Sequence, residues 1–225
     1  MDEALGLPAV AYPTSVDEAL ALLAEHGEDA KILAGGQSLL VLLRLGLVSP
    51  SMLINLKRIP KLELIGGKVD GGVAIGSMAT QLRVSHDPLI RQRYQALSEA
   101  AAVVASPAVR RLGTIGGNLC HADPTGDPPA ALIALGAEVE IASAQGTRTV
   151  PVETLFADYM ETSLAHDELL VSIKLPQVSE RLARPISSTG CEASIPRLSE
   201  WELDSSWLTM RVRAVRSGSD SPAPQ

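Results

Sequence analysis

Hydrophobic and polar positions along the first sixty residues follow helical and strand periods in turn. Ser15 and Glu18 form an S-x-x-E pattern, which is typical of a helix start, and apolar residues follow at helical spacing. The next predicted elements are an apolar strand, a helix and a buried strand, at 31–34, 38–45 and 52–56. This pattern predicts a strand–helix–strand unit as a first lobe, residues 1–58.

Short strands and glycine pairs follow from Pro60 onward, and they predict a second lobe over residues 59–176. The predicted elements are strands at 62–65, 69–70 and 73–75, an alanine-rich helix from 87 to about 105, a helix from 127 to 136, a hairpin across Gln145 and Gly146, and a last strand at 171–175. Residues 177–225 lack either period. We expect them to be a linker and an irregular, poorly ordered remnant of a third domain.

Composition excludes several classes of function. The net charge is −7 and no basic stripe stands out, which argues against a nucleic-acid partner. Aromatic residues make up only 3% of the chain, too few for a protein that stacks its ligand on rings. Two cysteines, Cys120 and Cys191, cannot supply the four thiolates of an iron–sulfur cluster, and we expect both to be reduced.

The distribution of apolar residues argues against a membrane protein. No apolar run reaches the roughly 18 residues of a membrane span, and the first residues are acidic where a signal peptide would be basic. We therefore expect a soluble cytoplasmic protein.

Two glycine motifs carry the candidate chemistry. The first glycine motif, residues 34–38, reads A-G-G-Q-S, and the second glycine motif, residues 114–118, reads T-I-G-G-N. Each is expected to follow an apolar strand. Glycine lets successive backbone N–H groups converge on an anion, and a helix beginning at Ser38 would add its partial positive charge. Together the motifs could hold a diphosphate from both sides.

The alternative is that these glycines only permit tight turns, which is how we interpret Gly66, Gly67, Gly71 and Gly72. Other phosphate-binding patterns are absent from the sequence. It contains no G-x-x-x-x-G-K-[ST] loop and no G-x-G-x-x-G fingerprint.

The two motifs also carry a resemblance to a known family. K-I-L-A-G-G-Q-S-L-L at residues 31–40 and R-L-G-T-I-G-G-N-L-C-H-A-D-P-T-G-D-P-P-A at 111–130 resemble the FAD-binding medium subunit of the xanthine dehydrogenase and carbon monoxide dehydrogenase (molybdenum hydroxylase) family. The resemblance spans residues 10–176. It implies an α+β, two-lobed FAD-binding fold of the vanillyl-alcohol oxidase (PCMH) type, with the family's C-terminal α+β domain largely missing.

The resemblance also implies a function. A partner subunit would hold the molybdenum cofactor, and an iron–sulfur subunit with two [2Fe-2S] clusters would relay electrons. This chain would accept those electrons on FAD and pass them to an external acceptor. No catalytic residue or metal ligand is expected on the chain itself, because the flavin carries the redox chemistry.

The residues implied to bind FAD fall into two groups and one single position. The first group is Ile32, Leu33, Ala34, Gly35, Gly36, Gln37, Ser38 and Leu39, and the second is Thr114, Ile115, Gly116, Gly117 and Asn118. Asp127 matches an acidic residue that contacts FAD in the family. It could equally be a plain helix N-cap ahead of Pro128.

Two other functions remain open from the sequence. One is a stand-alone flavin oxidoreductase of the same fold, which would need acid–base residues of its own. The other is a degenerate structural subunit that does not bind FAD.

Overall fold

The computed structural model describes residues 8–67 and 70–177, which form an α+β structure. The predicted irregular remnant, from residue 178 to 225, lies outside the described residues, as does Cys191. Val69, half of the strand predicted at 69–70, also lies outside them.

A three-stranded parallel sheet forms the N-terminal part. Its elements are β1 (Ala9–Ala11), α1 (Val16–His26), β2 (Ala30–Leu33), α2 (Leu39–Arg44) and β3 (Met52–Asn55), with strand order β1-β3-β2. Ser15 caps α1 as predicted, because its hydroxyl accepts a hydrogen bond from the Glu18 N–H (3.1 Å). The Glu18 carboxylate binds Thr14, accepting from both its N–H and its hydroxyl.

A five-stranded antiparallel sheet with helices forms the rest, in strand order β4-β5-β10-β6-β7. Its elements are β4 (Ile65–Gly67), β5 (Val73–Gly76), α3 (Gln81–His86), α4 (Pro88–Arg93), α5 (Gln95–Val103), α6 (Pro107–Leu112), α7 (Ile115–His121), α8 (Asp127–Ala134), β6 (Glu138–Ser143), β7 (Gly146–Pro151), β8 (Phe156–Asp158), β9 (Glu161–Thr162) and β10 (Leu169–Leu175). Strands β8 and β9 pair separately. The predicted hairpin across Gln145 and Gly146 is confirmed.

Two apolar clusters form the core. The larger packs the five-stranded sheet against the helices and includes Ile75, Leu97, Ile115, Leu119 and Ile173. The smaller joins α1 and the three-stranded sheet to Leu62, Met78, Ala142 and Leu169 of the remaining structure. The two sheets are therefore tied by shared apolar contacts, and the lobe boundary between residues 58 and 59 stays a prediction.

Two predicted elements were wrong. The helix expected over 87–105 is interrupted at Tyr94, whose φ of −136° and ψ of 54° separate α4 from α5. The strand expected at 62–65 is instead a 3₁₀ turn, Pro60–Glu63, followed by β4. Proline fixes φ near −65° and suits the first position of a helical turn, and this local preference overrides the apolar run.

Tyr94 provides a test of the interruption between α4 and α5. Its ring is buried and its hydroxyl donates to the Pro176 carbonyl oxygen (2.7 Å), which anchors the chain after β10. Tyr94→Phe should lower the free energy of unfolding by about 1–2 kcal/mol, because that carbonyl loses its donor. Tyr159→Phe is the control, since the Tyr159 side chain is exposed. Denaturant unfolding of both variants measures the difference, and equal midpoints would contradict the anchoring role.

Candidate functional site

The first glycine motif connects the end of β2 to the start of α2. Gly36 has a φ of +71°, a conformation that favours glycine, and the Gln37 side-chain amide donates to the Gly35 carbonyl oxygen (2.9 Å). The backbone N–H groups of Gly35, Gly36, Gln37 and Ser38 donate no hydrogen bond to any described residue. The motif therefore offers a run of free main-chain donors at the start of a helix, as the sequence predicts.

The second glycine motif differs from its prediction. No strand precedes it. Helix α6 ends at Leu112, and Gly116 and Gly117 lie in the first turn of α7. The reason is capping: Ser106 with Pro107 begins α6, and the Thr114 hydroxyl begins α7 by accepting from the Gly117 N–H (3.0 Å).

Four of the five backbone N–H groups of the second glycine motif, those of residues 115–118, are already used within the protein. Ile115 donates to the Ala79 carbonyl oxygen (2.9 Å) and Gly116 to that of Ser77 (2.9 Å). Asn118 donates to the Thr114 carbonyl oxygen (3.0 Å), and Gly117 to the Thr114 hydroxyl. The expectation that both motifs present free N–H groups to an anion thus holds for the first motif alone in this structure.

The structure brings the two glycine motifs into contact. A Cβ placed on Gly35 would lie 2.2 Å from the Leu112 carbonyl oxygen and 2.8 Å from the Gly113 Cα. A Cβ on Gly117 would lie 3.5 Å from the Ala34 Cβ. Each glycine thus faces the segment that carries the other motif. The first role of Gly35 is close approach of two segments separated by about eighty residues in the chain, whereas a Cβ on Gly117 would first meet the Thr114 hydroxyl, at 2.8 Å.

Three buried side-chain atoms near the second glycine motif have no hydrogen-bond partner among the described residues. They are the Ser77 Oγ, the Gln81 Oε1 and the Asn118 Oδ1. Asn118 is among the residues predicted from the sequence, whereas Ser77 and Gln81 are not. Neither lies in a glycine motif, and periodicity gives no signal for a buried polar side chain. Their unpartnered atoms fit a site whose donors come from a ligand.

The structure removes one interpretation of Asp127. The N-cap of α8 is Gly126, and Asp127 is the first helical residue, so the N-cap hypothesis was wrong. A cap side chain accepts from the second or third residue after it, and the second residue after Asp127 is Pro129, which has no N–H. In the described part of the chain the Asp127 carboxylate has no hydrogen bond or ion pair.

The remaining candidates flank the first glycine motif. Ile32 and Leu33 end β2, Leu39 begins α2, and all three side chains are half-buried. They therefore supply an apolar border beside the free N–H groups.

The loop between α7 and α8 carries a carboxylate whose contacts are internal. Asp123 accepts from the Thr125 hydroxyl (2.7 Å) and from the Thr125 N–H (2.9 Å). These hydrogen bonds hold the pKa of Asp123 below its ordinary value. The carboxylate is therefore ionised at neutral pH and occupied in shaping the loop.

Within residues 8–67 and 70–177, no three His, Cys, Asp or Glu side chains are grouped to hold a metal ion. No helix in that part of the chain is long and apolar enough to cross a membrane.

Comparison with known proteins gives a consistent result. A family model described as the FAD binding domain in molybdopterin dehydrogenase matches residues 6–178. The 6-hydroxypseudooxynicotine dehydrogenase complex subunit alpha of Paenarthrobacter nicotinovorans is 43% identical over 164 residues, and the carbon monoxide dehydrogenase medium chain of Hydrogenophaga pseudoflava is 41% identical over 169. These matches cover 73% and 75% of this chain.

A solved structure agrees with the sequence matches. Carbon monoxide dehydrogenase from Hydrogenophaga pseudoflava, in a form that lacks the Mo-pyranopterin moiety, superposes with a TM-score of 0.75 at 39% identity. The match covers 77% of this chain and 60% of that one. The chain also spans only 55% and 58% of the two curated relatives, so it corresponds to less than two thirds of their length.

Proposed function

We propose a function from one premise: the chain belongs to the family of FAD-binding domains in molybdopterin dehydrogenases. The predictions of FAD as cofactor, of an oxidoreductase family and of an α+β FAD-binding fold are confirmed at this level. In our proposal, the protein is the FAD subunit of a molybdenum hydroxylase. It accepts electrons from an iron–sulfur subunit and passes them through FAD to an external acceptor.

The partners and location are part of the same proposal. One partner subunit would carry the molybdenum cofactor and another the [2Fe-2S] clusters, and the complex would be cytoplasmic. Support comes from the names of the relatives, one a complex subunit and one a medium chain. Two FAD-binding lobes, residues 1–58 and 59–176, would each contribute one glycine motif.

The observation that carries the proposal is the run of four free N–H groups at residues 35–38, beside the second glycine motif. A diphosphate is the part of FAD that needs such donors, and the start of α2 adds a favourable partial charge. Thr114 and Asn118 would line the opposite side, where Ile115, Gly116 and Gly117 set the backbone. When bound, FAD supplies the redox chemistry, and these residues bind and orient it.

The central experiment compares two flavins. Flavin-free protein is titrated with FAD and with FMN, which lacks the second phosphate and the adenosine, while flavin fluorescence and absorbance are followed. We expect FAD to bind at least about a hundredfold more tightly than FMN, since two charge-assisted hydrogen bonds are worth about 3 kcal/mol or more. ADP should compete with FAD. Equal affinities for the two flavins, without competition by ADP, would contradict a diphosphate site.

Asp127 provides a second test. Its free carboxylate would accept a hydrogen bond from an FAD hydroxyl. Asp127→Asn should therefore raise the FAD dissociation constant about five- to tenfold while the apo-protein melting temperature stays unchanged. Asp87→Asn is the matched control, because Asp87 caps α4 through the N–H groups of Leu89 and Ile90, a role that asparagine fills equally well. Unchanged FAD affinity in Asp127→Asn would remove Asp127 from the site.

A further inference from the structure

We infer that Ser77 and Gln81 are positioning residues for FAD, a role that rests on the proposed function. They lie at the two ends of the support segment, residues 77–81, which connects β5 to α3. Neither belongs to a glycine motif. Both act through the backbone of the second glycine motif.

The support segment holds the second glycine motif, and Gly113 just before it, through three backbone hydrogen bonds. The Ser77 and Ala79 carbonyl oxygens accept from Gly116 and Ile115, and the Gln81 N–H donates to the Gly113 carbonyl oxygen (2.9 Å). Thr80 also forms a β-bridge with Thr114. The segment thus fixes the entry to α7, the place where Leu112 and Gly113 meet Gly35.

The side chains at the two ends are buried against this entry. Ser77 and Gln81 are 4% and 1% exposed. The Ser77 Cβ would lie 2.6 Å from a Cβ on Gly116, so this serine lies directly against the motif. The Gln81 Nε2 lies 3.5 Å from the Thr114 carbonyl oxygen, at the outer limit of a hydrogen bond.

Both side chains cost stability as they stand. The Ser77 Oγ and the Gln81 Oε1 have no partner among the described residues, and burying a polar atom without one is unfavourable. An apolar side chain of similar size would pack in either place without that cost. Polar groups retained at such a cost are expected where function needs them. Here the Gln81 amide nitrogen would hold the Thr114 carbonyl oxygen, and the Ser77 side chain would pack against Gly116, in the arrangement that closes on FAD.

The test measures the stability of the apo-protein and its affinity for FAD separately in two variants. Ser77→Ala and Gln81→Met are expected to leave the apo-protein melting temperature unchanged or higher, and to raise the FAD dissociation constant about five- to tenfold. Hydrogen exchange of the backbone amides at residues 113–118 should become faster in Gln81→Met, because the Thr114 carbonyl oxygen loses its side-chain donor. All measurements use the full chain at a temperature where every variant is folded.

Two control variants test whether the effects are specific to Ser77 and Gln81. Gln95→Met makes the same change at an exposed position, where the amide donates only to Glu99, and should alter neither quantity. Ser98→Ala removes a buried hydroxyl that donates to the Ser85 carbonyl oxygen (2.8 Å), and should lower stability without changing FAD affinity.

Each outcome decides the matter. Wild-type FAD affinity in both variants overturns the positioning role but leaves the proposed function intact. A fall in melting temperature that accompanies the loss of affinity shows a purely structural role and overturns it as well. Failure of the wild-type chain to bind FAD overturns both the positioning role and the proposed function. Amide exchange at 113–118 that stays as slow in Gln81→Met as in the wild type would independently contradict the support that we assign to the Gln81 side chain.

Discussion

Gly35→Ala is expected to lower the free energy of unfolding by more than about 2 kcal/mol and to abolish FAD binding. The new Cβ would stand 2.2 Å from the Leu112 carbonyl oxygen and 2.8 Å from the Gly113 Cα, both of them backbone atoms that cannot move aside cheaply. Insertion of a methyl group into so tight a contact costs about 1–3 kcal/mol or more. The same shift would separate the two glycine motifs.

Gly66→Ala is the matched control for this effect. Gly66 lies in β4, and a Cβ placed on it would meet no atom within 4 Å. Its substitution should change the unfolding midpoint little and leave FAD binding intact. Thermal and urea unfolding with an FAD titration measure both variants. If Gly35→Ala unfolded at the same midpoint as Gly66→Ala, the close approach of the two motifs would be wrong.

The expected destabilisation of Gly35→Ala would also change how a loss of flavin in glycine variants of the site is interpreted. A larger residue at Gly35 has its first effect on the contact between the two segments, and one at Gly117 on the Thr114 hydroxyl that caps α7, rather than on the approach of a phosphate. Loss of FAD in Gly35→Val therefore cannot by itself locate the diphosphate. A substitution that adds charge without adding a clash is needed for that purpose.

Local signals predicted much of the fold. The Ser15 cap, the β6–β7 hairpin and the final strand follow from capping chemistry and period-two patterning, and the structure confirms them. The errors arose where the local sequence was compatible with two different structures. Pro60 turned the run at 62–65 into a 3₁₀ turn, and Tyr94 broke the alanine-rich helix to place its hydroxyl on Pro176. That last partner is 82 residues away, beyond any local signal.

The candidate site also has features that local sequence predicts and features that it does not. The first glycine motif could be predicted because strand, turn and helix follow one another directly in the sequence, over residues 30–44. The use of the second motif's N–H groups could not, since their acceptors at Ser77 and Ala79 are long-range partners. Gly126, rather than Asp127, occupies the cap position of α8, and Pro129 lacks one of the two N–H groups that an Asp127 cap would bind. The roles of Ser77 and Gln81 depend on burial, which only the folded structure reveals.

Ser38→Asp is expected to raise the FAD dissociation constant about a hundredfold, with apo-protein stability unchanged or slightly higher. The added carboxylate would lie among the free N–H groups of residues 35–38, where it competes for their hydrogen bonds and repels a diphosphate. The same carboxylate suits the start of α2, because acidic side chains are favourable at helix N-termini. Binding and stability should therefore move in opposite directions.

Ser38→Asn separates charge from shape in this test, because asparagine has nearly the size of aspartate and no charge. It should weaken FAD binding far less than Ser38→Asp. Salt offers a second separation: between about 0.01 M and about 1 M the screening length falls from roughly 30 Å to 3 Å, so high salt should partly restore binding to Ser38→Asp alone. Isothermal titration with FAD at both salt concentrations measures the effect. Equal affinities of the Asp and Asn variants at low salt would place the diphosphate away from residues 35–38. The free N–H groups of these residues would then no longer support the proposed function.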